Sequence, residues 1–171
     1  MRILGIDPGL ETTGYGVIDA TGAAITLLEA GVITTAAKQP IQDRLKKIYR
    51  AVSALIAQFG PSALALEKLY SHYNHPVTAL LMGHSRGVVC LASGEHDIPL
   101  VSYPSKRIRK AVTGNGSASK EQIQRMVQHI LGLAHTKVPL DVTDALAVAI
   151  AYCYIERSEC RHDLAYLRKI G

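Results

Sequence analysis

Cysteine is scarce here: Cys90, Cys153 and Cys160 are the three in 171 residues, odd in number and without a CxxC pair, which argues against a disulfide framework or a zinc ribbon. The seven histidines, His72, His75 and His84 among them, form no ligand-spaced pair. No apolar run approaches the roughly 20 residues of a bilayer span. The opening residues show no basic segment or small-residue cleavage site ahead of the first apolar run, so a soluble, cytoplasmic protein without a membrane partner is expected. Internal repeats, low-complexity tracts and interdomain linkers are also lacking. Residues 1–156 therefore read as one domain, and 157–171 as a charged tail that frays or extends the last helix.

With 48% hydrophobic residues, the chain can bury one sizeable core. Nineteen Lys and Arg against fourteen Asp and Glu give a net charge of +5, compatible with a polyanionic partner. Acid is absent where base is densest. The segment YPSKRIRKAVTGNGSASK (103–120) holds Lys106, Arg107, Arg109, Lys110 and Lys120 with no carboxylate, and reads as a basic loop around its Gly-Asn-Gly-Ser stretch. Such a cluster is either a solvated face or a neutraliser of backbone phosphates.

The apolar pattern predicts an α/β order. RILGI reads as a central strand covered on both faces, and TGYGVID and AAITLLEAGVITT as a second and third strand in a meander. From Ile41, IQDRLKKIYRAVSALIAQF places Leu45, Ile48, Val52, Leu55, Ile56 and Phe59 at helical spacing, and Gly60-Pro61 ends it. SALALE is a strand, PVTALLMGHSRGVVCLASGE a helix, IPLVSY a strand, SKEQIQRMVQHIL an amphipathic helix and LDVTDALAVAIAYCYI a strongly apolar one.

Two of these strands end on an acid, Asp7 and Glu67. In open α/β sheets, sites collect at the carboxyl ends of the strands, where parallel neighbours would bring the two together. Asp141 and Asp144, three apart at the start of the apolar helix, share one face of it. Four converging carboxylates repel one another unless something positive is bound, and hard cations such as Mg²⁺ or Mn²⁺ take oxygen ligands. Two such ions about 4 Å apart are a standard device for hydrolysing phosphodiesters. Taken singly, each acid has a plainer reading: Asp7 as a turn former, Glu67 as a surface acid, Asp141 and Asp144 as the N-cap and N3 of their helix. Capping explains neither strand-end acid.

The segments GIDPGLETTGYGVI, LALEKLY, GHSRGVV, VTGNGSASKEQI and DVTDALAVAIA resemble, in order and spacing, the RuvC family of Holliday-junction resolvases over about residues 1–155. The resemblance implies a ribonuclease H-like fold, a mixed five-stranded sheet flanked by helices. It also implies a homodimer that makes paired, symmetric, metal-dependent nicks in four-way DNA junctions during recombination and repair. By position, Asp7, Glu67, Asp141 and Asp144 match the family's metal-binding carboxylates, with Mg²⁺ or Mn²⁺, two per site, as cofactor. Tyr70 matches an aromatic that stacks on bases at the opened crossover. Arg109 and Lys120 match basic positions near the scissile strand, and Lys106, Arg107 and Lys110 extend the DNA-binding set. The helix bearing Leu80, Gly83 and Gly87 matches the dimer interface, although a small-residue strip can equally face its own sheet. A branch-migration helicase of the RuvA and RuvB type is the further partner implied.

Three other readings compete. GIDPGLETTGYG also resembles the phosphate loop of actin-like and sugar-kinase ATPases, but those need two such domains and this chain has room for one. An RNA-processing nuclease of related fold would share the acids. A catalytically silent junction-binding module would keep the basic and aromatic features without needing the four carboxylates.

Overall fold

The computed structural model describes residues 1–68, 76–133 and 136–170, with side chains described for 1–68, 79–133 and 136–156. Among these, strands β1 (Arg2–Asp7), β2 (Thr12–Thr21) and β3 (Ala24–Thr34) precede helix α1 (Ile41–Phe59). Then follow β4 (Ala63–Glu67), α2 (Pro76–Glu95), β5 (Leu100–Tyr103), α3 (Ser105–Thr113), α4 (Lys120–Ile130) and α5 (Leu140–Ile170). Tyr70, His72 and His75 lie outside the described residues.

The strands form one mixed sheet in the order β3-β2-β1-β4-β5. The first three pair antiparallel, as short connections allow. α1 then provides the crossover that lets β4 pair parallel to β1, with Ile3 opposite Ala63 and Ile6 opposite Leu66, and β5 adds parallel to β4. This is the five-stranded mixed sheet flanked by helices that the sequence predicts.

Prolines set the helix starts. The carbonyl of Pro40 accepts from Asp43 N (3.1 Å) and Arg44 N (3.2 Å), that of Pro104 from Arg107 N (2.8 Å), and that of Pro139 from Thr143 N (2.9 Å). Each proline needs no hydrogen-bond partner for its own nitrogen and begins the helical ladder with its carbonyl. Ser119 caps α4 through a capping box with Gln122.

One expectation and one of the plainer alternative readings need correction. The basic segment is not a loop throughout: Ser105–Thr113 forms α3, anchored by buried Ile108 and Val112 and closed at Gly114 in the left-handed region (φ 79°). Only the stretch from Gly114 to Ser119 connects it to α4. Nor do Asp141 and Asp144 stand at N-cap and N3, because α5 begins at Leu140 and its ladder already starts at Pro139. The tail from residue 157 continues α5 as far as Ile170.

The alternation of the strands sorts the core into two layers. Leu4, Ile6, Leu64 and Leu66 pack with Ile48, Val52 and Ile56 of α1 and with Val89 and Ala92 of α2. Ile3, Ala63 and Ala65 face the other way, against Val142, Leu146, Ala149 and Ile150 of α5, with α3 and α4 completing that layer. By the same alternation Asp7 and Glu67 belong to the α5 side.

Candidate active site

Asp7 and Glu67 each follow the last paired residues of adjacent parallel strands, Ile6 and Leu66. Both are partly buried, at one end of the sheet, on the face that α5 covers. What brings α5 close is the absence of side chains beneath it. A Cβ on Gly5 would stand 2.1 Å from the backbone oxygen of Ala145, and one on Gly14 would stand 2.0 Å from that of Asp141. Gly14 is the register partner of Asp7. The glycines of LGID and TGYG thus let the first turns of α5 lie against the main chain of β1 and β2, which carries Asp141 and Asp144 toward Asp7.

The electrostatics record this convergence. Burial first, then the like charges of Asp144, Asp141 and Glu67, push the Asp7 carboxyl up from 3.8 to about 7, with Lys120 pulling the other way. Burial also raises Asp144; Lys120 opposes it, Glu67 and Asp141 add to it, and Arg109 opposes it. Lys120 Nζ lies 3.9 Å from Asp144 Oδ2. These acids come from β1, β4 and α5, so local sequence cannot explain their meeting.

Beside them is a cavity of about 120 Å³, lined by Glu67, Ser105, Arg109, Lys120 and Asp144 among others. The basic residues divide here. Lys120 reaches Asp144, while Arg109 lines the same cavity and its guanidinium donates to Ala118 O at 3.4 Å. Arg107 and Lys110 line a separate groove with Tyr154 and Ile155, and Arg107 stacks over the Tyr103 ring at 5.3 Å. Lys106 is exposed on the same helix.

Among the described residues, no three His, Cys, Asp or Glu side chains stand at metal-ligand spacing as they lie. The carboxylates turn to the donors they have: Glu67 accepts from the Ser105 hydroxyl, and Asp144 faces Lys120. The donor set nevertheless fits a hard divalent cation, being three carboxylates around a fourth, partly buried acid whose charge its surroundings leave undercompensated.

Sequence reasoning overlooked three contributors. Ser105 holds Glu67. Ser85 and Arg86, inside the GHSRG segment of α2, reach the strand ends: Ser85 Oγ donates to Gly9 O (3.2 Å), and Arg86 Nη1 donates to Glu67 O (2.6 Å). The charged Arg86 in the middle of a largely apolar helix is the available signal. Gly83 and Gly87 do not face the sheet, since among the described residues no atom beyond the helix's own backbone lies within 4 Å of a Cβ built on either. They share an outward surface with Leu80, 66% exposed, and Leu91, 55% exposed.

The family model described as crossover junction endodeoxyribonuclease RuvC matches residues 3–152, a span that includes all four acids. A crossover junction endodeoxyribonuclease RuvC of Rhodopirellula baltica is 44% identical over 163 residues, covering 95% of this chain and 92% of the relative. That of Alkaliphilus oremlandii is 42% identical over 154 residues, 90% of this chain and 93% of the relative. Among solved structures, T. thermophilus RuvC in complex with Holliday junction substrate matches with a TM-score of 0.88 at 32% identity, over 93% of this chain and 96% of that one. With sequence and fold agreeing over nearly its whole length, this chain belongs to the RuvC family of crossover junction endodeoxyribonucleases.

Proposed function

We propose that this protein is a structure-selective endodeoxyribonuclease that resolves four-way DNA junctions by paired, symmetric nicks during recombination and repair in the cytoplasm. The observation that carries the reading is the meeting of Asp7, Glu67, Asp141 and Asp144 beside Arg109 and Lys120. Acids converge where a metal is to be held, and cations stand where a phosphate is to be received.

Asp7, Glu67, Asp141 and Asp144 would hold Mg²⁺ or Mn²⁺, two ions per site. When bound, such ions make water a nucleophile at neutral pH and neutralise charge on the leaving oxygen. The chain's own groups do the rest. Lys120 and Arg109 bind the scissile phosphate and lower the repulsion it meets from the acids. Lys106, Arg107 and Lys110 along α3 neutralise flanking phosphates, and Tyr70 stacks on bases at the opened crossover. The fixed strand ends keep Asp7 and Glu67 oriented without reorganisation during the reaction. Residues 1–156 form the nuclease domain.

The outward face of α2, with Leu80, Gly83 and Gly87, pairs with a second copy of the chain. An isologous dimer sets two sites against the two symmetric strands of a junction. A branch-migration helicase of the RuvA and RuvB type supplies the junction.

The test is cleavage of a labelled synthetic four-way junction, beside a linear duplex and an RNA–DNA hybrid, with Mg²⁺ or with EDTA. Wild type should make paired nicks confined to the junction and dependent on metal. Asp7→Asn should cut at least about 100-fold more slowly, on the scale of losing an oriented catalytic group, yet bind the junction as well or better. Full nicking by Asp7→Asn, or cleavage of the hybrid instead of the junction, would overturn the reading.

A further inference from the structure

The segment Gly83-His84-Ser85-Arg86-Gly87 points in two directions. Gly83, His84 and Gly87 are exposed on the outer face of α2, whereas Ser85 is fully buried and Arg86 is partly so. The two inward side chains act on the main chain at the two strand ends that bear acids. Ser85 donates to the carbonyl of Gly9, two residues beyond Asp7. Arg86 spans β4 and β5: Nη1 donates to Glu67 O at 2.6 Å and Nη2 donates to Ser102 Oγ at 2.7 Å.

Glu67 is the last residue of β4, one past its last pair with β1, and its carbonyl belongs to the peptide plane next to the Cα that carries the carboxylate. A guanidinium is planar and presents its donors as a rigid fork, so two acceptors on two strands fix it in one orientation. A lysine in its place offers a point charge on a flexible stem and cannot span both acceptors in that way. Ser105 then holds the carboxylate itself from the start of α3. Glu67 is thereby gripped at its main chain from α2 and at its side chain from α3.

We propose that Arg86 is a positioning residue for the metal-binding carboxylates: it ties the helix that faces outward at Gly83 and Gly87 to the main chain of Glu67. This inference rests on the reading of Glu67 as a metal ligand. Outer groups that orient metal ligands typically contribute 10–100-fold in metal affinity, and Arg86 acts in that way through the main chain of Glu67.

The experiment measures Mn²⁺ binding to the DNA-free full-length protein by the electron paramagnetic resonance signal of free Mn²⁺. It compares wild type, Arg86→Lys, Ser102→Ala, Glu67→Gln and the double variant Arg86→Lys/Glu67→Gln, with thermal unfolding of each as a check on folding. Arg86→Lys should weaken Mn²⁺ binding roughly 10-fold, and Ser102→Ala should weaken it less but in the same direction. In the Glu67→Gln background, Arg86→Lys should add little, because a residue acting through Glu67 has nothing left to position. Unchanged affinity in a folded Arg86→Lys protein, or a loss that adds in full to that of Glu67→Gln, overturns the inference. Should Arg86→Lys not fold, unchanged affinity in Ser102→Ala overturns it equally. A wild-type protein that binds no Mn²⁺, or a Glu67→Gln protein that binds it as wild type does, overturns the metal-ligand reading and this inference with it. Glu67-dependent binding that ignores Arg86 overturns this inference alone.

Discussion

The two faces of the central sheet are built from opposite kinds of side chain. Toward α1 and α2, β1 and β4 present Leu4, Ile6, Leu64 and Leu66, all fully buried. Toward α5 the same strands present Ile3, Gly5 and Asp7 beside Ala63, Ala65 and Glu67. Large side chains hold helices away and fill the gap with apolar volume. Small ones admit a helix to the backbone itself, where the oxygens of Ala145 and Asp141 occupy the space that a Cβ on Gly5 or Gly14 would need. One face supplies stability through packing; the other trades packing volume for the closeness that assembles four acids.

Four substitutions would break or sharpen this contrast. The largest effect on stability belongs to the packing face: Leu66→Ala removes a fully buried side chain and should cost about 2–5 kcal/mol by denaturant unfolding. Mn²⁺ affinity of the folded fraction should change little. A loss of metal binding as large as the loss of stability would show that the two faces are not separable.

Asp7→Asn should do the reverse, stabilising the metal-free protein at the cost of activity. With the Asp7 carboxyl raised from 3.8 to about 7, folding takes up a proton between those values, so the wild type in EDTA should lose stability as pH rises from 4 to 7 and hold the penalty above that. At pH 8 the variant should gain up to about 4 kcal/mol, from 1.36 kcal/mol per pH unit. Asp144, raised in the same direction, leaves some slope behind. Melting temperatures across pH 4 to 8 check this, and equal slopes in variant and wild type would refute it.

Gly5→Ala tests closeness itself. Its Cβ would press on the main chain of α5, which cannot move aside as a flexible side chain does. We expect a loss of about 1–3 kcal/mol together with weaker Mn²⁺ binding, because Asp141 and Asp144 retreat with the helix. Loss of stability with unaltered metal affinity would mean that α5 tolerates displacement. The smallest effect is Ser119→Ala, which removes the cap of α4 and should cost about 1 kcal/mol in thermal unfolding.

Much of this arrangement is legible in the sequence, for reasons that differ between elements. Asp7 and Glu67 stand out because continuous apolar runs end on them, and Asp141 and Asp144 because an i, i+3 pair opens an apolar helix. The α3 helix escapes notice because Lys106, Arg107, Arg109 and Lys110 crowd nine residues in which only Ile108 and Val112 are buried. Gly5 and Gly14 read as turn or strand punctuation, and their purpose depends on the backbone oxygens of Ala145 and Asp141, far along the chain. The inner face of α2 cannot be chosen from its pattern, since Leu80, Leu81, Val88, Val89 and Leu91 surround the helix. Ser85 and Arg86 resolve it only once their acceptors, Gly9, Glu67 and Ser102, are in place.

The pairing of β1 with β4 has a metric consequence. Asp7 and Glu67 leave the sheet level with each other, on strands that have neighbours on both sides, so neither backbone can slide to adjust its reach. The two carboxylates therefore differ in extension by one methylene, roughly 1.5 Å. The strand ends act as a caliper whose jaws are set by side-chain length alone. Exchanging the two residues, Asp7→Glu with Glu67→Asp, preserves every charge and reverses the stagger, separating what the site owes to its charge from what it owes to its measure.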